Sequence, residues 1–494
     1  MDAVSSARPG LRRWHRRIAW MALMAAFTFA LTGLLHPLMT RLQPKPAQFK
    51  PPAVPRLNEA LPAPATALSA AGIAEVSGLR PVHDGNGWLW RVQALDGRVR
   101  YLDPTTGAEP VVDAERAHAE RLARWYAGES TADVSEATVL TAFDGDYGWI
   151  NRLLPVWRVR FARDDGLTVY VSTTDDRLAT ISDTRKAFFQ QTFRAVHSWS
   201  WLPAPLRNAW INTLLAAVAG TTLFGLTLAL RTPGGRRFNL RRLHRLGGIT
   251  VSLAVLAWAV SGFVQTLGNA ERERADSPQR PLRVQSAHLS APLHQPPDAA
   301  SGATLVTLHN TPVWRWALTP PETTTGRGLA MGEHQHHGQP AQAAAAVPMA
   351  RYMSALDGQE ITDGEIRHLS ELITHFGLQG RTAAATPVLK FTPDYGFAFK
   401  RLPVWRLEQP DAEHTAAYLD TSSERLAATV TDGERTAGAL FAYAHKWEWV
   451  TPWAGKDWRD GLSAFFAFLL IGVAVGGTLL RRRRKPRVRR SGSS

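Results

Sequence analysis

Leu11-Arg12-Arg13-Trp14-His15-Arg16 heads one long apolar run, and Leu240-Arg241-Arg242-Leu243-His244-Arg245 heads another. Two further apolar runs are preceded by a second shared phrase, His197-Ser198-Trp199-Ser200-Trp201 and His445-Lys446-Trp447-Glu448-Trp449. The four runs cover residues 18–39, 209–230, 246–267 and 462–480, and none contains Asp, Glu, Lys or Arg. About 20 apolar residues in a helix cross a hydrocarbon core of ~30 Å. Backbone polar groups must be satisfied internally at that depth, which selects helix. The sequence therefore predicts an α-helical membrane protein with four transmembrane helices.

The formal net charge of +15 resembles that of a nucleic-acid binder until it is mapped. Residues 1–17, 231–245 and 481–494 carry nineteen Lys and Arg against one Asp, and the rest of the chain sums to −3. A basic excess confined to short segments beside membrane helices follows the positive-inside rule. Both termini and the 231–245 loop are thus expected in the cytoplasm. Residues 40–208 and 268–461 are expected outside it, and the charge calls for no nucleic-acid partner. The first run exceeds a usual signal-peptide core. It ends in Leu35-His36-Pro37 rather than a small-residue cleavage site, so it reads as an uncleaved anchor. Cysteine is absent, which excludes disulfides, thiolate metal sites and thioether-linked haem within this chain.

The duplication extends beyond the histidines. Leu154-Pro-Val-Trp157-Arg158 recurs as Leu402-Pro-Val-Trp405-Arg406, and Arg177-Leu178-Ala179 as Arg425-Leu426-Ala427, each 248 residues on. The late His-Trp phrases keep the same offset. Asp113-Ala-Glu115 with His118 is similar to Asp363-Gly-Glu365 with His368. Such self-similarity predicts a parallel internal repeat of helix, external domain and helix, with a pseudo-twofold axis along the membrane normal. Each external domain reads as α+β. A helix is expected over 113–127, then a hairpin of Val156–Phe161 and 167–172, with 403–407 and 415–419 as the second copy. Residues 44–64 are proline-rich and read as an extended linker; residues 326–347 read as a flexible insertion.

With these residues in view, the chain resembles the PepSY-associated transmembrane family, which includes iron-regulated membrane proteins and ferric-siderophore reductases. The carrying features are the basic phrases at His15 and His244 and the pairs Thr32-Gly33 and Ser261-Gly262 late in the same runs. With them go the external Val-Trp-Arg hairpins and the late His197 and His445. The resemblance implies PepSY-like periplasmic domains and a haem-binding protein of the bacterial inner membrane, linked to iron acquisition. Related sequences often carry Gly after the late His, where Ser198 and Lys446 stand here, so a different local turn is expected.

Histidines duplicated at membrane edges suggest paired axial ligands. In a twofold bundle His15 would meet His244 at the cytoplasmic end, and His197 would meet His445 at the external end. Each pair would clamp one haem b, and filled axial positions suit electron transfer. Ionisable groups at membrane depth are functional candidates by default. His36 complicates the external pairing, as the equivalent position in the third run is Gln265. It stands as an alternative external ligand or as a contact to substrate iron; symmetry favours His197 with His445, membrane depth favours His36. Trp199, Trp201, Trp447 and Trp449 read most simply as an interfacial aromatic belt. The Thr-Gly and Ser-Gly pairs read as close-packing positions, with room for a porphyrin as the other use. His334, His336 and His337 form a candidate metal tract, against the simpler reading of a polar insertion.

No G-x-G-x-x-G follows a strand, and no H-E-x-x-H or Ser-His-Asp arrangement is evident. A reductase built this way needs a separate electron donor, a quinol or a flavoprotein. The expectation is a two-haem electron carrier reducing a ferric chelate, such as a siderophore, in the periplasm. One rival is a non-enzymatic membrane protein that binds a periplasmic peptidase. Another is a metal-binding sensor or transport accessory. A homo-oligomer is compatible with the sequence.

Overall fold

In the computed structural model the described residues are 3–111, 113–232, 239–272, 277–318, 349–380 and 382–482. Six long helices organise them: α1 (Ala3–Ala25), α2 (Ala114–Ala127), α3 (Ala204–Arg231), α4 (Leu240–Arg272), α5 (Gly364–His375) and α6 (Thr451–Arg482). The chain divides into two compact units. The first gathers Met1–Gln43, Thr184–Ala275 and Glu434–Ser494; the second gathers Pro44–Asp183 and Asp276–Gly433.

The first unit is helical. Four stretches are long and apolar enough to cross a membrane: Gly10–Leu42, Ala204–Arg231, Leu240–Leu267 and Glu448–Arg481. The chain is thus a multi-pass membrane protein by the length and composition of its helices. Each helix runs beyond the apolar stretch that announces it, because Arg, Leu and His propagate a helix outside the hydrocarbon as well. α1 passes into a π-helical turn (Ala26–Ala30) and then into Leu31–Gly33 and Leu35–Leu42. Pro37 lacks an N–H to return to Gly33, and the path breaks at Leu34. The helices meet through small residues, with Ala25, Ala26, Ala254, Ala259 and Ser261 buried, while Leu253 (80% exposed) and Phe468 (63%) point outward. Small residues inside and large apolar ones outside is the pattern of helix packing in lipid.

The second unit holds four small antiparallel sheets. β1 (Glu75–His83), β2 (Trp88–Ala94) and β3 (Val99–Leu102) form the first sheet, in the order β3-β2-β1. β4 (Val134–Leu140), β5 (Val156–Phe161), β6 (Thr168–Ser172) and β7 (Arg177–Ser182) form a meander behind α2. β8 (Val284–Gln285) joins the first sheet beside β1. β9 (Ala299–Leu308), β10 (Thr311–Leu318) and β11 (Ala350–Ser354) pair in the order β11-β10-β9. β12 (Thr386–Val388), β13 (Val404–Glu408), β14 (Ala416–Asp420) and β15 (Arg425–Val430) form a second meander.

The expected helix begins where the Asp113 carboxylate accepts the Arg116 N–H (3.1 Å). It ends at Gly128, whose φ of 66° belongs to the left-handed region that glycine occupies without strain. The expected hairpins are β5–β6 and β13–β14, with Trp157 opposite Val171 and Trp405 opposite Leu419. One difference concerns domain boundaries. Residues 40–208 and 268–461 were expected as separate external domains, yet both contribute to the second unit and share one core. Trp90 stacks on Trp314 (5.5 Å between ring centres, 22° between planes) among Leu68, Leu102 and Leu289. The cause is β8, a short strand from the later segment that completes the sheet of the earlier one through Val76 opposite Val284. Thr184 onward and Glu434 onward belong instead to the helical unit.

Candidate functional site

The helical unit brings together the histidines singled out by sequence. His15 on α1 and His244 on α4 lie with ring centres 6.4 Å apart and planes at 63°. His15 Nδ1 is 3.0 Å from the Thr221 carbonyl of α3, and His244 Nδ1 is 3.0 Å from the Val473 carbonyl of α6. A carbonyl only accepts, so Nδ1 carries the proton in both rings and Nε2 holds a lone pair. The Cε1 edge of each ring rests against a glycine of the neighbouring helix. A Cβ at Gly225 would stand 3.0 Å from His15 Cε1, and one at Gly477 would stand 3.0 Å from His244 Cε1.

At the other end, His197 and His445 each close a π-helical turn, Phe193–His197 and Phe441–His445. Such turns occur often at functional sites. His197 Nδ1 lies 3.0 Å from Thr32 Oγ1, and His445 Nδ1 lies 3.1 Å from Ser261 Oγ. Both hydroxyls already donate one turn back, Thr32 to the Thr28 carbonyl and Ser261 to the Ala257 carbonyl (2.7 Å). They can therefore only accept from the rings, which places a proton on Nδ1; the Phe29 carbonyl also accepts from His197 and the Trp258 carbonyl from His445. His197 stacks on Phe193 (4.3 Å, 14°) and His445 on Phe441 (4.7 Å, 19°). Burial, reinforced by the charges of His445 and His36, pushes His197 down to about 3. Burial, with Lys446 and His36 nearby, pushes His445 down to about 4. Both rings stay neutral at physiological pH, the state a metal ligand needs.

His36 joins this external cluster, with its ring 6.4 Å from that of Phe193. The late histidines are nearer the membrane than the apolar runs imply, since the spanning stretches begin at Ala204 and Glu448. Ser198 and Lys446, where a different local turn was expected, have ordinary right-handed backbones with φ of −98° and −93°. The left-handed residues are Trp199 (φ 49°) and Trp447 (φ 58°), so glycine is not required after the histidine. Trp447 is not a belt residue: it is buried, stacked on Trp258 (5.3 Å, 10°), whose Nε1 donates to the His445 carbonyl (3.1 Å). Trp201 (64% exposed) and Trp449 (52%) do face outward. The close-packing reading of the Thr-Gly pair also fails in detail, because Thr32 supports His197 and a Cβ on Gly33 would meet nothing within 4 Å. His334, His336 and His337 lie outside the described residues.

Sequence reasoning missed a buried ion cluster beside His445. The apolar run 462–480 carries no charge, but α6 starts earlier and breaks at Gly455 (φ 81°) before Arg459 and Asp460. Arg459 donates to Asp460 (2.8 Å) and pairs with Glu448, all three being buried.

The second unit holds two other buried histidines, and they contrast with the four above. His118 Nε2 donates to Asp176 (2.6 Å), while its Nδ1 accepts from Arg121 (3.2 Å). His368 Nε2 donates to Glu424 (3.1 Å), while its Nδ1 accepts from the Tyr352 hydroxyl (2.9 Å). Both nitrogens of each ring are taken, as in satisfied core histidines. Arg80 completes the first cluster by donating to Asp176 (2.8 Å), and Arg280 the second by pairing with Glu424. Burial alone would raise the Asp176 pKa, but Arg80 and His118 override it and hold the carboxyl well below the usual range. A cavity of about 1660 Å³ lies in this unit, lined by both meanders and by β1, β2, β9 and β10.

A haem needs only two protein ligands. Two imidazoles on opposite faces of one metal, with metal–nitrogen bonds of about 2.0 Å and ring centres about 1.1 Å farther out, stand roughly 6.2 Å apart. The His15–His244 separation of 6.4 Å fits that spacing. Among the described residues no group of three or more His, Asp or Glu is gathered for a metal held by side chains alone. No family model matches the chain, and a comparison with curated proteins finds no match.

Proposed function

We propose that this protein is a two-haem electron carrier of the cytoplasmic membrane that reduces a ferric chelate on the outer side. The observation that carries the reading is the shared state of four histidines. His15, His244, His197 and His445 each have Nδ1 fixed by a hydrogen bond, which aims a neutral Nε2 lone pair away from that partner. Histidines that ligate metals characteristically donate the other ring N–H in this way, which sets orientation and raises basicity.

Haem b, bound by His15 with His244 and by His197 with His445, would supply one-electron transfer at the two ends of the bundle. The chain's own part is to hold the rings. Thr221 and Val473 carbonyls orient the first pair; Thr32 and Ser261 hydroxyls orient the second. Gly225 and Gly477 keep the space against the first pair clear of side chains. Phe193 and Phe441 shield the second pair from water by stacking. His36 contributes a further, half-buried imidazole to the external cluster and is the alternative ligand there. Loss of iron from a hard-oxygen chelator follows reduction, since the ferrous ion carries less charge. The electron donor is a separate molecule, a quinol or a flavoprotein.

The finer architectural reading belongs to the same proposal. The two halves are copies of one PepSY-like unit, related by a pseudo-twofold axis. Supporting it, the two meanders have equivalent strand order, and each half places a buried histidine on the helix before its meander. The basic flanks orient both termini and the 231–245 loop to the cytoplasm.

The test is an absorption spectrum of the detergent-purified chain, oxidised and reduced, with haem counted by the pyridine haemochrome method. A low-spin b-type spectrum near two haems per chain is expected. A folded protein that stays colourless after expression with haem supplied would sink the reading and return the peptidase-binding and metal-accessory alternatives. Single substitution of His36, His197 and His445 then assigns the external ligands.

A further inference from the structure

We propose that the cavity of the second unit binds a small carboxylate-bearing anion, with Arg315 as its principal contact. The anion site stands apart from the haem reading. That reading adds only that the anion is a ferric chelate.

Eight basic and five acidic side chains line the cavity. Several of the basic ones are matched. Arg91 on β2 is 5% exposed and donates to both oxygens of Glu115 (3.1 and 2.9 Å). Arg80 is paired with Asp176, and Arg177 and Arg401 with Asp175. Arg315 occupies on β10 the place that Arg91 has on β2, each following a tryptophan of the stacked pair. It is 3% exposed, yet it is not matched in the same way. Glu365, the acid in the place of Glu115, spends one oxygen on the Met349 and Ala350 N–H groups (2.6 and 3.1 Å) and the other on Trp405 Nε1 (3.2 Å). It stands 3.9 Å from Arg315 Nη2, beyond a hydrogen bond. Among the described residues the remaining partners of Arg315 are neutral, the Thr421 hydroxyl at Nε (3.1 Å) and the Tyr352 phenol.

A second guanidinium on the wall has the same character. Arg425 donates to the Ser277 carbonyl (2.9 Å) and to Gln279, neither of them charged. Burial, together with the repulsion of Arg401, pulls its pKa down to about 10. A buried cation without a hydrogen-bonded counter-charge is costly to hold. An incoming carboxylate relieves that cost and matches the planar fork of the guanidinium. Leu79, Leu305 and Leu318 also line the cavity and accommodate an apolar remainder of the ligand.

The test is calorimetric titration of the full chain in detergent with citrate, ferric citrate, inorganic phosphate and a neutral ferric trihydroxamate. Citrate and ferric citrate are expected to bind with an affinity that falls as salt rises. Arg315→Gln should weaken them roughly 10-fold or more, with Arg315→Lys between the two. Arg425→Gln, at a less buried position, should weaken them several-fold and serves if Arg315→Gln fails to fold. No citrate binding, phosphate binding without citrate, equal binding of the neutral trihydroxamate, or unchanged affinity in both Gln variants would each overturn the proposal. Haem is counted on the same samples. A red protein that ignores citrate refutes the anion site alone, and a colourless one that binds citrate refutes the haem reading alone.

Discussion

Thr32→Val removes one hydroxyl and almost no volume, and it isolates what that hydroxyl does. Thr32 Oγ1 lies 3.0 Å from His197 Nδ1 and has its own proton committed to the Thr28 carbonyl. Valine removes that acceptor and leaves the ring the Phe29 backbone carbonyl, a net loss of about 0.5–1.5 kcal/mol. The ring can recover by moving its proton to Nε2, but that consumes the lone pair proposed to bind iron. At about 1.4 kcal/mol per tenfold, haem should be held roughly 2- to 10-fold more weakly at the external site. That range reaches only the lower end of the 10–100-fold typical of losing a partner behind a metal ligand, since the Phe29 carbonyl remains. Thr32→Ser retains the oxygen and should behave as the parent protein does. Ser261→Ala is the equivalent change at His445, where the hydroxyl is 3.1 Å from Nδ1. The assay is the rate of haem transfer from each purified variant to an excess of an apo-protein acceptor. If Thr32→Val and Ser261→Ala release haem within twofold of the parent rate, the hydroxyls do not orient ligands and the tautomer reasoning is wrong.

Gly225→Ala and Gly477→Ala each place a methyl 3.0 Å from a histidine Cε1, closer than a settled contact allows; each should lower the haem count toward one per chain while the external signal persists. The depressed pKa values of His197 and His445, about 3 and about 4, make a two-part pH prediction. These rings stay neutral in the folded protein while their unfolded counterparts take up protons below about 6.5, so stability falls as pH drops through that value. The external haem spectrum, by contrast, should be unchanged between pH 7 and 5, and a spectral transition centred near 6.5 would contradict the buried site. Asp176→Asn leaves Arg80 without its buried counter-charge and should destabilise the second unit by about 3–5 kcal/mol, read as a lower melting temperature in detergent. Because the Asp176 pKa is depressed, its contribution is present above the unfolded value of about 4 and fades below it, so parent and variant should converge in acid.

The membrane helices were legible because uncharged runs of that length have few other uses. The hairpins were legible because Val156-Trp-Arg-Val-Arg-Phe161 alternates and its partner follows a tight turn. The candidate ligands were legible because a histidine beside a basic cluster recurs with its neighbours. What supports those ligands was not. Thr32 and Ser261 look like packing residues in sequence, since a hydroxyl that accepts from a distant ring leaves no local trace. Their shared spacing from His15 and His244, 17 residues in each run, was the available signal. Gly225 and Gly477 are two glycines among 38, picked out only by the ring edges laid against them. The joining of the external segments depended on β8, two residues whose partner strand lies some 200 positions earlier. No local pattern encodes that pairing.

The hydrogen bonds behind the four rings follow one rule of connectivity. Thr221 supports His15 and Thr32 supports His197, all four before the 231–245 loop; Val473 supports His244 and Ser261 supports His445, all four from the end of that loop, His244, onward. Under the proposed pairing, each iron joins one ring from either side of that loop. Ligand preparation is then a property of a single half-chain, whereas cofactor capture belongs to two. A fused dimer has this logic: two identical half-length subunits would have built both sites at once, with the cofactor as the cross-link. In the proposed repeat His36 falls opposite Gln265 and Phe29 opposite Trp258, positions where the two copies differ. Residues 1–232 and 239–494 co-expressed as separate chains should copurify whether haem is plentiful or scarce, because both build the core of the second unit, and a haem spectrum should appear only when both are present.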